Sequence, residues 1–403
     1  MVKTAPQPQS SLPVTSANRI RAAVICDFLE EKWPSMDLNG DLLYQFLAQD
    51  HAPDIAATQV RPEFRRRLTR LPLLNGKLGW NVDRLANRFL DYPRWLGGRL
   101  DRFDLFHLVD HSYSQLVHSL PAPRTIVTCH DLDTFRCLLE PQAEPRPHWF
   151  QAMARRILEG FQKAAHVICN SSATRDQLLH YGLFPAERIS VIHSGVHPAF
   201  GSKPDAAADA EATGLIGPNI PRDIKLLSVG STIPRKRMDV LLRVFQAVLE
   251  EFPSARLLRV GGPFTDPQLQ LARDLGVEKS VLVLPFLTRN VLASVYRSST
   301  LLLQPSEAEG FGMPLAEAMA CGCPVVASDL ASLREIGGAV CEYCPVADVS
   351  AWKAAVVRRL QADASQSWRQ QALDQAQRYT WSENARATAD VYRQVFDQQG
   401  RVS

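Results

Sequence analysis

Apolar residues recur along the chain in short runs that predict buried strands separated by helices. In the first half, the runs predict strands at 20–26, 103–109, 125–129, 166–169 and 189–193. Helical periodicity fills much of the sequence between them, at 38–49, 149–163 and 172–180. Strands that alternate with helices are typical of a parallel sheet covered on both faces. The first half therefore predicts one doubly wound α/β domain.

The alternation restarts in the second half, where the runs predict strands at 225–229, 255–260, 281–286, 301–304 and 324–328. The helix expected at 238–252 carries an apolar stripe at the helical period, formed by Val240, Leu241, Val244, Phe245, Val248 and Leu249. Residues 201–222 are rich in Ala, Asp, Gly and Pro and lack periodicity, which predicts a linker. Two doubly wound halves of this kind place a ligand in a central cleft at the carboxyl ends of their strands.

Composition excludes several classes of protein and is consistent with two α/β domains. A chain of 403 residues with 46% apolar and 22% charged residues is long enough for two globular domains. The net charge of +3 argues against a general nucleic-acid-binding protein. No apolar run approaches the ~18 residues that span a bilayer. Residues 1–18 hold three prolines and no apolar core of a signal peptide, so we expect a disordered tail and a cytoplasmic protein.

Eight cysteines invite a test for metal binding. Cys321 and Cys323 form one close pair, and Cys341 and Cys344 form another. A strand beginning at Pro324 follows the first pair at once, which suits zinc ligation poorly. In a large chain with no export signal, reduced thiols are expected. We therefore expect no metal site.

The first half lacks two common phosphate-binding motifs. After the first predicted strand, no glycine occurs until Gly40, so G-x-G-x-x-G is absent there. The sequence also has no G-x-x-x-x-G-K-[ST]. These observations argue against nicotinamide-dependent oxidoreductases and P-loop nucleotide hydrolases.

Candidate anion ligands follow the first strand of the second half. That strand ends at Gly230 and Ser231, and Arg235 and Lys236 come shortly afterwards. A planar guanidinium and a compact ammonium at a strand end suit a diphosphate. The alternative interpretation is a solvated basic run that only caps a loop.

A second candidate is the segment Glu309-Gly310-Phe311-Gly312, which lies between a predicted strand and a predicted helix. Two glycines at a helix N-terminus leave backbone amides open to an anion. Glu317 lies eight residues after Glu309, and the pair around this turn indicates a ligand site more strongly than the glycines alone. The structural alternatives are a dipole partner for Glu309 and an exposed helix acid for Glu317. His130, at the end of another predicted strand, suits either a structural or a ligand-binding role.

With these motifs, the sequence resembles the family-4, or group 1, glycosyltransferases of the GT-B fold, from about residue 20 to 397. The resemblance implies two Rossmann-like domains that face a central cleft. It implies that His130 contacts the donor sugar, and that Arg235 and Lys236 hold its diphosphate. Glu309 would lie by the reacting centre, and Glu317 would bind the nucleotide ribose.

The resemblance also assigns backbone and base contacts. The phosphates would lie on the backbone of Gly310, Phe311, Gly312, Met313, Pro314 and Leu315, with Gly230 and Ser231 nearby, and the base against Phe286 and Leu287. The chain departs from the family at two places. Many members have Arg where this chain has Ser231, and many have a Gly-Gly loop where this chain has residues 33–38.

The implied domain organisation is a tail (1–18), an acceptor-side domain (19–200), a linker (201–222), a donor-binding domain (223–380) and a helix (381–403) that packs back on the first domain. The implied reaction is transfer of a hexosyl unit from a GDP- or UDP-sugar to a hydroxyl of a glycan or lipid-linked acceptor, with retention of configuration. Such an activity belongs to glycan, polysaccharide or glycolipid biosynthesis.

The mechanism of this transfer leaves alternatives. We expect Arg235 and Lys236 rather than a metal to stabilise the leaving diphosphate, and we expect no cofactor. Front-face attack with Glu309 positioning the sugar is one route, and covalent attack by Glu309 is the other. A non-catalytic nucleotide-sugar-binding scaffold and a nucleotide-sugar epimerase of the same fold also remain open.

A basic segment in the first half suggests a further partner. Residues 61–102 hold eleven Lys or Arg and four acids, a local net charge of +7. Val60, Phe64, Leu68 and Leu71 have helical spacing, which predicts a short helix between Pro62 and Pro72. Its basic side chains would contact the inner face of an anionic membrane, or an acidic or lipid-phosphate acceptor. These side chains are Arg65, Arg66, Arg67 and Arg70. The alternative is a core-facing helix with a solvated arginine face.

Overall fold

The computed structural model of the protein describes residues 19–72, 75–217, 224–361 and 366–400. The tail expected at 1–18 and the last five residues of the expected linker lie outside these ranges. By the density of its contacts the chain divides into two compact units. The first unit is formed by Met1–Val127, Glu159–Ala165 and Ala385–Ser403, and the second by Thr128–Leu158 and His166–Asn384.

The first six strands form one parallel sheet in the order β2-β1-β3-β4-β5-β6. They are β1 (Ile20–Ile25), β2 (Ile55–Val60), β3 (Leu105–Leu108), β4 (Thr125–Cys129), β5 (His166–Cys169) and β6 (Ile189–Val191). The sequence predicts β4 and β5 to the residue. It misses β2, because a run of Ala, Thr and Gln lacks the continuous apolar pattern of a buried strand.

Helices fill the connections of the first sheet. They are α1 (Pro34–Asp50), α2 (Lys77–Ala86), α3 (Tyr92–Gly97), α4 (Arg136–Leu139), α5 (His148–Lys163) and α6 (Ser172–His180). A single π-helical turn at Asn87–Asp91 joins α2 to α3. The helices predicted at 149–163 and 172–180 correspond to α5 and α6.

The second sheet repeats the architecture, in the order β12-β11-β10-β7-β8-β9. Its strands are β7 (Lys225–Val229), β8 (Arg256–Val260), β9 (Val281–Val283), β10 (Leu301–Gln304), β11 (Val325–Ser328) and β12 (Glu342–Cys344). The central strands are buried on both faces, as the unbroken apolar runs predict. The two sheets with their helices confirm the predicted pair of Rossmann-like domains.

The helices of this half are α7 (Ala206–Ile216), α8 (Met238–Leu249), α9 (Asp266–Asp274), α10 (Arg289–Ser298), α11 (Met313–Ala320), α12 (Ala331–Gly337), α13 (Val349–Gln361), α14 (Gln366–Ala376) and α15 (Trp381–Gly400). The predicted stripe of α8 is buried in a core that also contains Trp352 and Val356 of α13. The helix ends at Leu249, three residues before the predicted end.

The expected linker differs from the structure, because α7 occupies most of its described part. The side chain of Asp205 caps α7 by accepting a bond from the amide of Ala208, at 3.2 Å. Ala208, Ala212 and Ile216 recur every four residues and pack into the core of the second unit. A stripe made of alanines carries too little hydrophobic contrast to stand out in the sequence.

From Ala385 onward, α15 belongs to the first unit. The hydroxyl of Tyr392 lies 2.8 Å from Nδ1 of His107 on β3. The guanidinium of Arg393 pairs with Asp54, with Nε 2.9 Å from Oδ2. These contacts attach α15 to β3 and to the residue that precedes β2 in the first unit.

The helix predicted between Pro62 and Pro72 is wrong. In its place the chain runs irregularly into one 3-10 turn at Leu68–Arg70. Phe64 is buried and stacks on Trp80, with ring centroids 5.0 Å apart. The carboxylate of Asp83 binds three successive amides of this segment, which fixes a turn where helical bonds were expected.

The eight cysteines carry buried, unbridged thiols. Within the described ranges, no group of three or more His, Cys, Asp or Glu side chains is arranged to hold a metal ion. Within the same ranges, no helix combines the length and the apolar character needed to cross a bilayer.

Candidate active site

The carboxylate of Glu309 lies at the centre of the candidate site, in the turn between β10 and α11. Its Oε1 accepts bonds from Lys236 Nζ at 2.5 Å, Ser306 Oγ at 2.7 Å and Gln304 Nε2 at 2.9 Å. Its Oε2 lies 3.4 Å from Nη1 of Arg235. The structure thus brings together three of the residues predicted from separate motifs.

The electrostatics of this cluster keep Glu309 ionised. Burial alone would raise the pKa of the Glu309 carboxyl, but the charges of Lys236 and Arg235 outweigh burial and lower the pKa below its usual value. The cluster therefore consists of one buried carboxylate shared between two cations.

The two cations come from a 3-10 turn at Pro234–Lys236, which follows β7 and Gly230. Arg235 donates to the carbonyl of Ala308 at 2.9 Å and lies 3.2 Å from Asp133. Its own carbonyl accepts the amide of Glu307 at 2.9 Å. This turn is thereby bound to the one that carries Glu309, so the positions of the charges are fixed by backbone as well as by ion pairs.

Gly310 allows a close approach that no other residue could make. A Cβ atom at this position would lie 1.9 Å from the backbone oxygen of His130. Ser171 donates to the carbonyl of Gly310 at 2.6 Å, and Ser332 donates to the carbonyl of Glu309 at 2.7 Å. The predicted site residues His130 and Gly310 are therefore close to each other through backbone, and two serines that the sequence analysis did not select, Ser171 and Ser332, hold the turn.

We expect Gly310→Ala to impair the site strongly. The added methyl group forces the turn away from His130, and overpacking of this kind costs about 1–3 kcal/mol. Turnover and the denaturant midpoint should both fall. Gly214→Ala is the matched control, because Gly214 lies in α7 with open space around its Cβ position. Equal activity of Gly310→Ala and Gly214→Ala would contradict the proposed rigidity of the turn.

The start of α11 contains several of the residues whose backbone was predicted to contact phosphate. Gly312, in the left-handed region with φ of 100°, precedes Met313 and Pro314 at the first positions of the helix. The Leu315 amide already bonds to the carbonyl of Gly312 at 3.0 Å, and its side chain is fully buried. Leu315 is therefore part of the helix and the core, and its backbone contact with phosphate stays a prediction.

Glu317 lies on α11 and contacts a different partner from Glu309. The hydroxyl of Tyr296 donates to its Oε2 at 2.8 Å. Burial raises the pKa of Glu317 to about 7, although the Tyr296 bond and Arg289 act in the opposite direction. The two acids of the predicted motif are therefore separate groups, one ionised between two cations and one whose pKa is raised to about 7.

The raised pKa of Glu317 makes stability depend on pH. A carboxyl whose folded-state pKa exceeds its unfolded value binds more protons in the folded state, so its contribution to the free energy of unfolding falls as pH rises through about 4.5 to 7. We expect Glu317→Gln to be more stable than the wild type at pH 8, with a smaller difference at pH 5. Urea unfolding at the two pH values measures this. A constant difference would contradict the raised pKa.

The base-binding residues predicted at 286 and 287 follow β9, which ends at Val283. Phe286 is 81% exposed, and its ring edge lies 4.0 Å from the Cβ position of Gly262. Gly261 in turn faces the carbonyl of Gly230, since a Cβ there would lie 2.1 Å away. The loops after β7, β8 and β9 thus meet at one edge of the second sheet, where Gly230 and an exposed aromatic ring are close.

Arg259 is a site residue that the sequence analysis missed. Its side chain is fully buried and its guanidinium donates to the carbonyls of Gly230 and Val260. Burial lowers its pKa to about 10, so it stays charged at neutral pH. The sequence feature that could have identified it is an arginine inside the run Arg256–Val260, because a buried strand favours apolar residues.

A polar cavity of 460 Å³ opens beside Glu309 and Gly310. The segment from the end of β4 through α4, together with α6 and its C-cap, supplies much of its wall, including Asp131, Arg136, Gln177 and Tyr181, none of which the sequence analysis selected. Arg235 also lines it. The cavity is large enough for a sugar and places polar groups next to the Glu309 cluster.

Solved structures of similar fold match almost the whole chain. Sucrose-phosphate synthase from Thermosynechococcus elongatus matches with a TM-score of 0.72 at 19% identity, over 94% of this chain and all of that one. Anabaena Alr3699/HepE in complex with UDP matches with a TM-score of 0.64 at 16% identity, over 93% of this chain and 99% of that one. At these identities the likeness shows the fold, which is GT-B.

Family models divide the chain in the same way. "Glycosyltransferase Family 4" matches residues 40–200 and "Glycosyl transferases group 1" matches residues 223–362, together about three quarters of the sequence. The chain belongs to the group 1, family-4 glycosyltransferases.

Curated relatives match the sequence of this chain over part of their length. D-inositol 3-phosphate glycosyltransferase from Streptomyces bingchenggensis is 34% identical over 253 residues, 58% of this chain and 53% of the relative. The protein of the same name from Mycobacterium sp. (strain KMS) is 35% identical over 177 residues, 42% of this chain and 38% of the relative. The matches thus span about half or less of the length of these relatives.

Proposed function

We propose that the protein transfers a hexosyl unit from a nucleotide-diphosphate sugar to an acceptor hydroxyl, with retention of configuration. The observation that carries this proposal is the buried Glu309 carboxylate between Lys236 and Arg235, at the mouth of the Gly310 turn. A diphosphate is an anion that two clustered cations recognise, and the carboxylate lies where a sugar bound to that diphosphate would begin.

In the proposed reaction, the bond between the anomeric carbon and the diphosphate oxygen breaks, and a bond to the acceptor oxygen forms on the same face. The proton of the acceptor hydroxyl passes to the departing phosphate oxygen. Lys236 and Arg235 stabilise the negative charge that grows on the diphosphate, so the reaction needs no metal or cofactor in this proposal.

The contacts of Glu309 favour an electrostatic role over covalent attack. Its Oε1 accepts three donors, one of them Lys236 at 2.5 Å, which withdraws electron density from a potential nucleophile. Held in this way, the carboxylate is suited to position the sugar and to stabilise positive charge at the anomeric carbon. We propose His130 as a further contact to the donor sugar.

The donor nucleotide would occupy the edge where the loops after β7, β8 and β9 meet. We propose that Phe286 and Leu287 contact the base of UDP or GDP, and that Glu317 binds the ribose. The 81% exposed ring of Phe286 supports a stacking contact of this kind. Gly230 and Ser231 would approach the diphosphate closely.

The acceptor and the cellular setting are also proposals. Curated relatives are named for D-inositol 3-phosphate, so this compound is the first acceptor to test, followed by sugar phosphates and glycolipids. A role in glycan, polysaccharide or glycolipid biosynthesis follows if one of these is used. We further propose that the enzyme acts in the cytoplasm at a membrane surface, in peripheral contact.

The test is a screen of GDP- and UDP-sugars for an increase in Tm, followed by assays of the best ligand with and without acceptors. A ligand that binds the native state raises Tm. We expect release of the nucleotide diphosphate to depend on the acceptor and to proceed equally in EDTA and in Mg²⁺. Stabilisation with no release or hydrolysis would favour the scaffold, and a changed sugar without acceptor would favour the epimerase.

A further inference from the structure

Helix α2 presents apolar side chains to solvent. Leu78, Val82 and Leu85 are spaced by four and three residues, so they share one face of the helix. Their exposed fractions are 74%, 43% and 39%. Leu90, in the following π-helical turn, is also exposed. In a helix that only covers a core, this face would be polar.

Two polar side chains, Asp83 of α2 and Asn87 of the following π-helical turn, point inward and fix this orientation. Buried Asp83 accepts the amides of Arg67, Leu68 and Thr69 at 3.0, 2.9 and 3.0 Å. Although burial opposes it, these bonds and the hydroxyl of Thr69 lower the pKa of Asp83 to about 2, so it is ionised. One turn on, Asn87 exchanges two bonds with the backbone of Arg65.

A helix bound to its unit through Asp83 and Asn87 cannot rotate to bury its leucines without breaking these bonds. The exposure of Leu78, Val82 and Leu85 is therefore built into the fold, since buried polar groups that lose their partners are costly. Apolar faces maintained in this way mark interaction surfaces.

The loop held by Asp83 and Asn87 is strongly basic. Arg65, Arg66, Arg67 and Arg70 are exposed on it, and Lys77 begins α2. Asp91 is the acid shared by Arg65 and Arg67, at 3.7 and 2.7 Å. Over residues 61–102 the net charge is +7. Because this loop is bound to the helix itself, its positive side chains lie within one helix diameter, ~10 Å, of the exposed apolar face.

We propose that α2 docks on an anionic membrane, with Leu78, Val82 and Leu85 entering the interface and the neighbouring arginines contacting lipid headgroups. An apolar face beside a dense basic segment is the combination that interfacial helices use. Pairing of two copies through this face would bring two strongly positive surfaces together, which opposes self-association. The surface goes beyond the transfer reaction, because it requires neither donor nor acceptor.

The proposal changes which residues carry membrane contact. The sequence predicted an amphipathic helix at 62–72. In the structure, the helix with an exposed apolar face is α2, and the arginines lie on the loop that precedes it. The loop 29–33, which contains exposed Leu29 and Trp33, is tied to α2 because Glu31 pairs with Arg84 at 2.9 Å. Tryptophan favours the interfacial region of a bilayer.

The test is flotation of the full chain with phosphatidylcholine vesicles, with and without phosphatidylserine, at low and high salt. We expect the wild type to float with the anionic vesicles at low salt and to be released by high salt. The triple variant Leu78→Ser, Val82→Ser, Leu85→Ser should lose at least about tenfold in vesicle affinity. Its donor binding should match the wild type, because α2 contributes no residue to the candidate donor site, and a cooperative thermal transition should show that the variant is folded.

Two controls separate the apolar and basic contributions. Leu179→Ser, Val346→Ser and Phe396→Ser remove exposed apolar groups elsewhere and should leave binding unchanged. Arg65→Ser, Arg66→Ser, Arg67→Ser and Arg70→Ser should weaken binding and reduce its salt dependence, whereas Arg155→Ser, Arg243→Ser and Arg273→Ser should not.

Three results would overturn the proposal. In the first, the wild type does not bind anionic vesicles at low salt. In the second, the α2 triple variant binds them as tightly as the wild type. In the third, sedimentation shows a dimer that the triple variant abolishes while vesicle binding persists, which would assign the face to a second copy of the chain.

Discussion

Glu309→Ala is expected to reduce kcat at least about a hundredfold, because groups that stabilise charge in a transition state contribute about that much. The variant should bind the donor as tightly as the wild type or more tightly. In the unliganded protein, Lys236 and Arg235 share their charge with Glu309, and without it they are available to the diphosphate. Steady-state kinetics and direct titration with UDP and GDP measure the two effects separately.

The control variants distinguish charge from shape. Glu309→Gln keeps a side chain that can bond to Ser306 and Gln304 but carries no charge, so it should resemble Glu309→Ala in kcat. Glu278→Ala removes an exposed acid that pairs with Arg273 and should behave as the wild type. A near-normal kcat in Glu309→Ala and Glu309→Gln would contradict the assignment of the reacting centre.

The sequence was most informative where the site is built from strand ends. The residues around 230, 235 and 309 each follow a buried apolar strand, and the carboxyl ends of adjacent parallel strands meet at one edge. Strands β7 and β10 are direct neighbours, which explains how motifs about 73 residues apart form one ion-paired cluster. The local spacing in the sequence predicted which side chains belong to the site. The order of the strands explains why these side chains lie close together.

The sequence was least informative where polar groups are buried and apolar groups are exposed. Periodicity assumes that apolar residues face inward, so it selected 62–72 as a helix and did not anticipate α2. In α2 and the turn after it, Asp83 and Asn87 face inward instead. Arg259 was missed for the same reason, because its partners are backbone carbonyls that no side-chain pattern reveals. Such positions depend on tertiary hydrogen bonds.

The second large effect is expected in Lys236→Ala. The Lys236 ammonium contacts the carboxylate of Glu309 at 2.5 Å and lies close to Gly230, with Nζ 3.9 Å from its Cβ position. Removing it should weaken binding of the nucleotide diphosphate about tenfold or more, with a larger fall in kcat, because the charge on the leaving group grows in the transition state. Binding of the nucleoside alone should change little. Arg243→Ala, an exposed arginine on α8, is the matched control.

The same variant should also change the pH dependence of the reaction. Burial raises the pKa of Glu309, and the charge of Lys236 is the foremost cause that lowers it, so the pKa of Glu309 should rise when Lys236 is removed. An ionised Glu309 is needed for activity in the proposed mechanism, so the acid limb of the kcat profile should move to higher pH in Lys236→Ala. Arg235→Ala should move it less, because its guanidinium is farther from the carboxylate, at 3.4 Å.

A double-mutant cycle with Glu309→Ala measures the coupling between Lys236 and the carboxylate. If Lys236→Ala and Arg235→Ala, alone and combined, left diphosphate affinity and the acid limb unchanged, neither cation would belong to the donor site.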